Sequence, residues 1–263
     1  MPSFSKTILI AAALLISSSV HAQAPKVTAG KPTIILVHGA FAESASWNAV
    51  AGRLLHDGYK VLAAANPLRS VKTDAAYLTS IIQSENGPVV LVGHSYGGAV
   101  ISAAADPRGQ VKALVFVSGL APDIGESGGT IGAKFPEGTL GQALAPPVLL
   151  ADGSKDLYIL QAKFWKQFAA DVPESDAAEM AATQRPVTEA ALNEPATFAA
   201  WKTVPSWFIY GSLDKNIPPS AHAFMAQRAH ARETIEVKGS SHVVMISHRA
   251  EVAALIERAA IAK

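Results

Sequence analysis

The chain has 263 residues, of which 49% are hydrophobic and 16% charged, and its formal net charge is +1. A chain of this length can bury one sizeable core, and α/β proteins of this size are often one domain. The basic residues are scattered and give no field that would attract nucleic acid. With no cysteine in the sequence, disulfides, a thiol nucleophile and cysteine-ligated zinc are excluded.

The first two dozen residues have the features of a secretory signal. Lys6 precedes a short apolar run over residues 8–16, and small residues then occupy both positions that signal peptidase would read before a cut after Ala22. A cut after Ala24 is the alternative. The run is too short to span a bilayer comfortably, which disfavours a membrane anchor. We therefore predict that residues 1–22 are a signal peptide, and that the exported protein is periplasmic or secreted, with no stable membrane insertion.

From residue 32 onward, short apolar runs alternate with segments of helical length. The runs are apolar on consecutive positions, which is typical of parallel strands buried on both faces. The predicted strands are Thr33–Val37, Lys60–Ala64, Val89–Val92, Lys112–Val117, Trp207–Tyr210 and Thr234–Val237. The predicted helices are Ala45–Asp57, Thr73–Ser84, Ser95–Ala105, Pro219–Ala229 and Arg249–Ile261. This alternation predicts an α/β fold with a doubly wound, mostly parallel sheet.

One interval is far longer than a single crossover helix needs. Glycine- and proline-rich stretches there are followed by helical patterns near Ile159–Ala170, Ser175–Thr183 and Thr188–Leu192. We predict that residues 119–203 form a largely helical cap, inserted into a core made of residues 32–118 and 204–263. The aromatic residues of this interval recur near helical spacing, which is more typical of core packing than of substrate contact: Tyr158, Phe164, Trp165 and Phe168.

The most informative motif is a G-x-S-x-G sequence around Ser95. It follows an apolar strand and opens a helix rich in small residues, which is the context of a nucleophile elbow. Gly93 and Gly97 leave room for a sharp strand-to-helix turn, on which Ser95 takes a strained backbone conformation. The beginning of the helix also places a positive dipole end near a developing oxyanion. These features predict that Ser95 is a nucleophile.

A serine nucleophile needs a base, and in this architecture the chain order is serine, acid, histidine. His242 fits, because it lies in a loop after the last strand and before the last helix. Two histidines near the motif, His38 and His94, come too early in the chain. The remaining candidates lie in or beside helical patterns, where a solvated surface is expected: His56, His222, His230 and His248.

The predicted acid is Asp214, in a loop that follows a strand and precedes a helix. A buried carboxylate at that edge of the sheet would orient the imidazole and stabilise its cation. An aspartate that only holds a turn or caps the helix is the alternative interpretation. Asp123, in the loop after the preceding strand, is the second candidate for the acid.

An early strand ends in the turn His38-Gly39-Ala40-Phe41. Acyl transfer in this architecture needs two backbone N–H donors for the oxyanion, one after the nucleophile and one from this loop. We predict Tyr96 and Ala40 for these positions. The side chains of Phe41 and Tyr96 either line the acyl pocket or pack in the core.

Together these motifs resemble small serine esterases of the α/β-hydrolase fold, of the bacterial carboxylesterase type and the plant methyl esterase and hydroxynitrile lyase group. The resemblance runs from Pro32 to the C-terminus. It implies a cap that roofs the site, and neither a cofactor nor a metal. The plant lyases carry a lysine after the catalytic histidine and an H-T turn, whereas this chain has Val243 and Gly39, which disfavours cyanohydrin cleavage. Haloalkane dehalogenases carry an aspartate in place of Ser95 and are also disfavoured.

The leading hypothesis is a serine hydrolase that cleaves small carboxylic esters or lactones through an acyl-enzyme on Ser95. The same three residues could instead support cofactor-free perhydrolysis or acyl transfer. A non-catalytic ligand-binding protein on the same fold is a third possibility, although a binder would not need all three residues. The expected partner is a small-molecule ester.

Overall fold

The computed structural model describes residue 28 and residues 30–263, so the predicted signal peptide lies outside the described residues. A six-stranded sheet, in which every pair of neighbours is parallel, forms the centre of the fold. Its strands are β1 (Thr33–Val37), β2 (Val61–Ala64), β3 (Val89–His94), β4 (Val111–Val117), β8 (Ser206–Gly211) and β9 (Glu233–Val237). The predicted parallel α/β sheet is thus confirmed.

Five helices connect or flank these strands. They are α1 (Asn48–His56), α2 (Val71–Ser84), α3 (Tyr96–Ala103), α9 (Pro219–Arg228) and α11 (Arg249–Ile261). Helix α11 packs against α1 and against β3, β4 and β8, while α2 packs against α3. The strands β1 and β3 are buried along their whole length, as their unbroken apolar sequences predict.

The strand order β2-β1-β3-β4-β8-β9 positions the candidate site. The chain leaves β1 towards one side of the sheet for β2 and then returns to the other side for β3. Open α/β sheets bind ligands outside the carboxyl ends of the strands at such a reversal of direction. The loops after β1, β3, β8 and β9 all lie at that edge.

Residues 119–203, which we call the inserted segment, lie along the chain between β4 and β8. Its helices are α4 (Gly128–Lys134), α5 (Leu140–Ala143), α6 (Gln161–Phe168), α7 (Glu174–Ala182) and α8 (Glu189–Asn193). It also contains a small antiparallel sheet of β5 (Val148–Leu149), β6 (Lys155–Leu157) and β7 (Val187–Thr188). The prediction of a largely helical segment omitted this sheet, because strands of two or three residues are too short to display a two-residue period.

Three short helices complete the described part of the chain. Two are 3₁₀ helices, Ser44–Trp47 and Ala200–Lys202, and the third is α10 (Val244–Ser247). None of the helices within residues 28 and 30–263 combines the length and the apolar character needed to cross a membrane.

Candidate active site

Ser95 lies on the sharp turn between β3 and α3. Its backbone has φ of 53° and ψ of −124°, a conformation that costs a non-glycine residue free energy and that the surrounding structure must enforce. The Ser95 carbonyl accepts hydrogen bonds from the N–H groups of Gly98 at 2.9 Å and Leu120 at 3.0 Å. The turn therefore has the strained geometry that the elbow motif predicts.

Asp214 and His242 meet at the same edge of the sheet. His242 Nδ1 donates a 2.7 Å hydrogen bond to Asp214 Oδ2, and both side chains are buried. Asp214 Oδ1 accepts the backbone N–H groups of Asn216 at 2.9 Å and Ile217 at 3.0 Å. One oxygen of this aspartate therefore holds the turn, and the other bonds the imidazole.

A second imidazole binds the same carboxylate oxygen. His222 Nε2 donates to Asp214 Oδ2 at 3.1 Å, and its ring stacks on Tyr210 with centroids 4.8 Å apart. The expectation of a solvated surface is wrong for His222, which is 0% exposed. Helical periodicity could have predicted this burial. His222 precedes the buried residues Met225 and Ala226 by three and four positions, and so lies on the same inward face of the helix.

Opposing effects set the protonation state of the buried Asp214 carboxyl. Burial alone would raise the pKa of the Asp214 carboxyl, but the electrostatic interaction with His242 and the hydrogen bonds from both imidazoles outweigh it and hold that pKa well below its usual value. Burial lowers the pKa of His222, against the opposing pull of the carboxylate. The site thus keeps an ionised carboxylate beside a neutral second imidazole.

The two histidines near the elbow have structural contacts. His94 Nε2 donates to the carbonyl oxygen of His242 at 3.2 Å, and the two rings lie 4.8 Å apart. Burial lowers the pKa of His94 well below its usual value. His38 Nε2 accepts the backbone N–H of Asn66 at 3.0 Å, so its ring is held within the core.

The outer nitrogen of His242 is the free end of the aspartate–histidine pair. Nε2 is buried and has no hydrogen-bond partner among residues 28 and 30–263. His94, which directly precedes Ser95, bonds the His242 carbonyl and so joins the histidine loop to the elbow. No hydrogen bond between Ser95 and His242 occurs in this structure; such bonds commonly tighten only when substrate is bound.

The loop after β1 closes tightly on the elbow. A Cβ at Gly39 would lie 2.6 Å from Ser95 Cβ and 3.1 Å from the backbone nitrogen of Tyr96. The N–H of Phe41 donates to the carbonyl of Arg185 at 2.9 Å. The N–H groups of Ala40 and Tyr96 have no backbone acceptor among the described residues, so both N–H groups are available to a ligand.

A cavity of about 440 Å³ opens over Ser95 and is lined by both the core and the inserted segment. Phe41 and Tyr96 line it, and the Tyr96 hydroxyl donates to Asp74 at 2.9 Å. The other walls are mostly apolar side chains and glycines, and Glu189 is the charged side chain among them. This size and character suit a small, mainly apolar ligand.

The remaining predicted residues lie elsewhere. Asp123 pairs with Lys202 at 2.6 Å and does not bond His242. Phe168 is fully buried and packs edge-on against the His242 ring with centroids 5.1 Å apart. Neither it nor the other three aromatic residues singled out in the inserted segment lines the cavity.

No group of three metal-binding side chains of the His, Cys, Asp or Glu type occurs within the described residues. The polar groups at the centre of the site are instead one hydroxyl, one carboxylate and the imidazoles around it. Such groups can exchange protons and activate a hydroxyl.

The sequence model described as "Alpha/beta hydrolase family" matches residues 34–255, and the chain belongs to that family. The alpha-hydroxynitrile lyase of Arabidopsis thaliana is 27% identical over 238 residues, covering 82% of this chain and 92% of the lyase. Methylesterase 3 of Arabidopsis thaliana is 24% identical over 250 residues, covering 86% of this chain and 95% of the esterase. The crystal structure of polyneuridine aldehyde esterase superposes with a TM-score of 0.74 at 18% identity, covering 86% and 98% of the two chains.

These findings confirm the resemblance inferred from the motifs, and with it the α/β-hydrolase fold. The chain is an enzyme of the hydrolase class, with esterases among its relatives.

Proposed function

We propose that this enzyme is a serine esterase that cleaves small carboxylic esters or lactones, with Ser95 as nucleophile, His242 as base and Asp214 as the orienting acid. The observation that carries the proposal is the buried 2.7 Å hydrogen bond from His242 to Asp214, which leaves Nε2 of the same ring unpaired. That pairing fixes the proton on Nδ1 and makes Nε2 the acceptor that a serine hydroxyl needs.

The reaction proceeds in two acyl-transfer steps. Ser95 Oγ attacks the ester carbonyl while His242 Nε2 takes the hydroxyl proton, and the oxyanion accepts the N–H groups of Ala40 and Tyr96. Collapse of the tetrahedral intermediate expels the alcohol, which receives the proton from His242. Water, deprotonated by the same nitrogen, then attacks the acyl-enzyme and releases the acid and the free serine.

The lyase among the relatives suggests a different reaction for the same fold. A lyase that releases cyanide gains from a cation beside the base, but the residue after His242 is Val243, which is apolar and 0% exposed. An apolar side chain cannot stabilise a departing anion. This position favours the esterase proposal over cyanohydrin cleavage.

The first experiment combines labelling and turnover. A fluorophosphonate probe should label Ser95, identified by peptide mass spectrometry, and p-nitrophenyl acetate should be hydrolysed. Ser95→Ala should abolish both while leaving the melting temperature unchanged. An unlabelled wild-type enzyme, or turnover that survives Ser95→Ala, would refute the mechanism and favour a binding protein.

The same assay separates hydrolysis from its two chemical alternatives. Adding hydrogen peroxide or an alcohol during ester turnover offers a second acceptor for the acyl-enzyme. Release of free acid in the presence of either acceptor supports a hydrolase. Predominant peracid or transferred ester would instead identify perhydrolysis or acyl transfer as the reaction.

We also propose that the enzyme acts outside the cytoplasm, because of the signal-like sequence that ends at Ala22. Expression of the full chain in a bacterial host, followed by N-terminal sequencing of the periplasmic and medium fractions, tests this. A mature N-terminus at Gln23 or Pro25 supports export. An unprocessed protein confined to the cytoplasm would contradict it.

A further inference from the structure

The end of α6 and the turn that follows it contact the histidine loop, which is the loop of residues 238–243 that carries His242. The ring of Phe168 packs edge-on against the His242 ring with centroids 5.1 Å apart, and the Phe168 carbonyl accepts the hydroxyl of Ser241 at 3.3 Å. The same hydroxyl donates to Asp171 Oδ1. Neither Phe168 nor Asp171 lines the cavity over Ser95. Any effect of these two residues on the reaction must therefore pass through the histidine loop.

The polar neighbours of Asp171 come from the histidine loop and from α10. Its Oδ1 accepts the Ser241 hydroxyl, and its Oδ2 lies 3.9 Å from His248 Nε2. Burial would raise the pKa of Asp171, but hydrogen bonds from the hydroxyls of Ser241, Ser247 and Ser240 outweigh it and lower that pKa. The carboxylate is therefore ionised at neutral pH, and a hydrogen bond to an ionised acceptor is stronger than one between neutral groups.

The turn that carries Asp171 is itself fixed by hydrogen bonds. Trp165 Nε1 donates to the carbonyl of Val172 at 3.0 Å, and the N–H of Val172 donates to the carbonyl of Ala169 at 3.1 Å. On the same helix, Gln167 Nε2 donates at 3.1 Å to the carbonyl of Lys215, in the loop of the proposed acid. The end of α6 thus bonds both the loop of the proposed acid and the loop of the proposed base.

The backbone of the histidine loop also packs against the end of β8. The N–H of Leu213 donates to the carbonyl of Ser240 at 2.9 Å. A Cβ at Gly211 would lie 2.3 Å from the carbonyl oxygens of Ser240 and Ser241, so the two backbones are in close contact. The core therefore holds the backbone just before the base, whereas the inserted segment holds the Ser241 side chain. A base must be held within a fraction of an ångström of its working position.

We propose that Asp171 is a positioning residue, which fixes the histidine loop through the Ser241 hydroxyl and so holds His242 in its working orientation. Asp171 touches neither the substrate nor the reacting atoms. This inference rests on the proposed esterase function, since it concerns the base of that reaction.

Steady-state kinetics on p-nitrophenyl acetate tests the proposal with three single variants. Asp171→Ala should lower kcat by about tenfold and leave KM within about twofold, because the loop loses a charge-assisted hydrogen bond while the cavity is unchanged. Ser241→Ala removes the donor of the same bond and should cause a similar loss. Asp171→Asn keeps an acceptor oxygen for Ser241 and should recover most of the wild-type kcat. The rate of fluorophosphonate labelling of Ser95 should follow kcat in each variant.

The double variant Asp171→Ala/Ser241→Ala tests whether the two residues act through one bond. Its loss of kcat should stay near tenfold, instead of the roughly hundredfold product of two independent effects. Asp152→Ala is the matched control, because it removes the same type of pair from an exposed turn between β5 and β6, where Asp152 accepts the Ser154 hydroxyl at 2.6 Å. This control should keep the wild-type kcat.

The outcomes separate this inference from the proposed function. Melting temperatures and circular dichroism give the folded fraction of each variant at the assay temperature, and kcat is expressed per folded enzyme. A wild-type kcat in Asp171→Ala, an equal loss in Asp171→Asn, or a double variant that shows the full product would refute the role of Asp171 while the esterase stands. If wild-type Ser95 is not labelled and the ester is not hydrolysed, the esterase proposal itself fails.

Discussion

The two sides of the cavity differ in their polar and apolar character. Behind the wall formed by the core lie buried polar groups with defined partners, such as Asp214, whose two oxygens accept four hydrogen bonds. The wall formed by the inserted segment is mostly apolar and contains five glycines: Gly128, Gly129, Gly132, Gly138 and Gly141.

This difference suggests a division of labour. A reacting centre must be held to within a fraction of an ångström, because misplacement of the reacting groups lowers the rate steeply. A wall that only selects the shape of a substrate can be apolar and loosely filled. Changes on the core side should therefore alter the rate strongly, whereas equivalent changes on the inserted side should alter it little.

The largest effect is expected at the acid. Asp214→Asn should reduce kcat by about 10⁴-fold, because an amide that faces two imidazoles favours the wrong tautomer of the base. Steady-state kinetics on p-nitrophenyl acetate measures the loss. Asp123→Asn is the matched control: it loses only a partly exposed ion pair with Lys202, so activity should be unchanged and stability should fall by about 1 kcal/mol or less. Comparable losses in the two variants would contradict the assignment of Asp214.

The next largest effect is expected in the loop after β1, which carries the proposed oxyanion donor Ala40. A Cβ at Gly39 would lie 2.6 Å from Ser95 Cβ and 2.7 Å from the carbonyl oxygen of His94, so Gly39→Ala must push the loop away from the elbow. Displacing one oxyanion donor should lower kcat by about 10²- to 10³-fold. The rate of fluorophosphonate labelling should fall with it. A variant that folds and retains full activity would show that Ala40 is not a donor.

The third prediction concerns the dependence of stability on pH. The core side of the site buries several histidines, whereas the inserted segment contains none. Burial lowers the pKa of His38, His94 and His222 in the folded state, so below the ordinary value of 6.5 the unfolded chain binds protons that the folded chain does not. Stability must then fall as the pH falls, by at most about 1.4 kcal/mol per pH unit for each such histidine, as long as it is protonated in the unfolded chain and neutral in the folded one.

Urea unfolding at intervals between pH 8 and pH 5 measures this slope. His222→Phe removes one of these three histidines and should make the slope shallower by the contribution of one histidine. An equal slope in wild type and variant would mean that His222 already takes up its proton in the folded enzyme.

The fourth effect is a moderate one on catalysis. His222→Phe removes one of the two imidazole donors to Asp214 Oδ2 without touching His242 or the cavity. Losing a hydrogen bond to a charged group should lower kcat by about tenfold, with KM unchanged. His222→Gln keeps an N–H donor near the same place and should restore part of the loss. A change confined to the melting temperature, with kcat intact in both variants, would make His222 a purely structural residue.

The sequence predicted those features that depend on local pattern. The six strands follow from runs of consecutive apolar residues, and the elbow follows from glycine spacing between a strand and a helix. The loops that carry Asp214 and His242 follow from chain order, since loops after parallel strands gather at one edge. Each of these signals is contained in a few adjacent residues.

Features that arise when distant segments meet could not be predicted in this way. The second imidazole on Asp214 depends on how α9 is rotated against β8, which brings His222 below the acid loop. The hydrogen bonds from Gln167 to Lys215 and Asn216 join the inserted segment to that same loop. Ser241, next to the proposed base, is bonded to Asp171 of the inserted segment. Contacts of this kind leave no periodic pattern in the sequence, because each depends on tertiary packing.

The smallest effect repeats the glycine substitution on the opposite wall. Gly132 lies within α4, and a Cβ there would meet nothing within 4 Å, in contrast to Gly39. Gly132→Ala should therefore raise the free energy of unfolding by about 0.5–1 kcal/mol through helix propensity. Its kcat/KM on p-nitrophenyl acetate should stay within about twofold of wild type, because the apolar wall makes no contact that a methyl group must displace. A loss as large as that of Gly39→Ala would mean that the inserted wall is held as rigidly as the core, and the division of labour between the two walls would have to be abandoned.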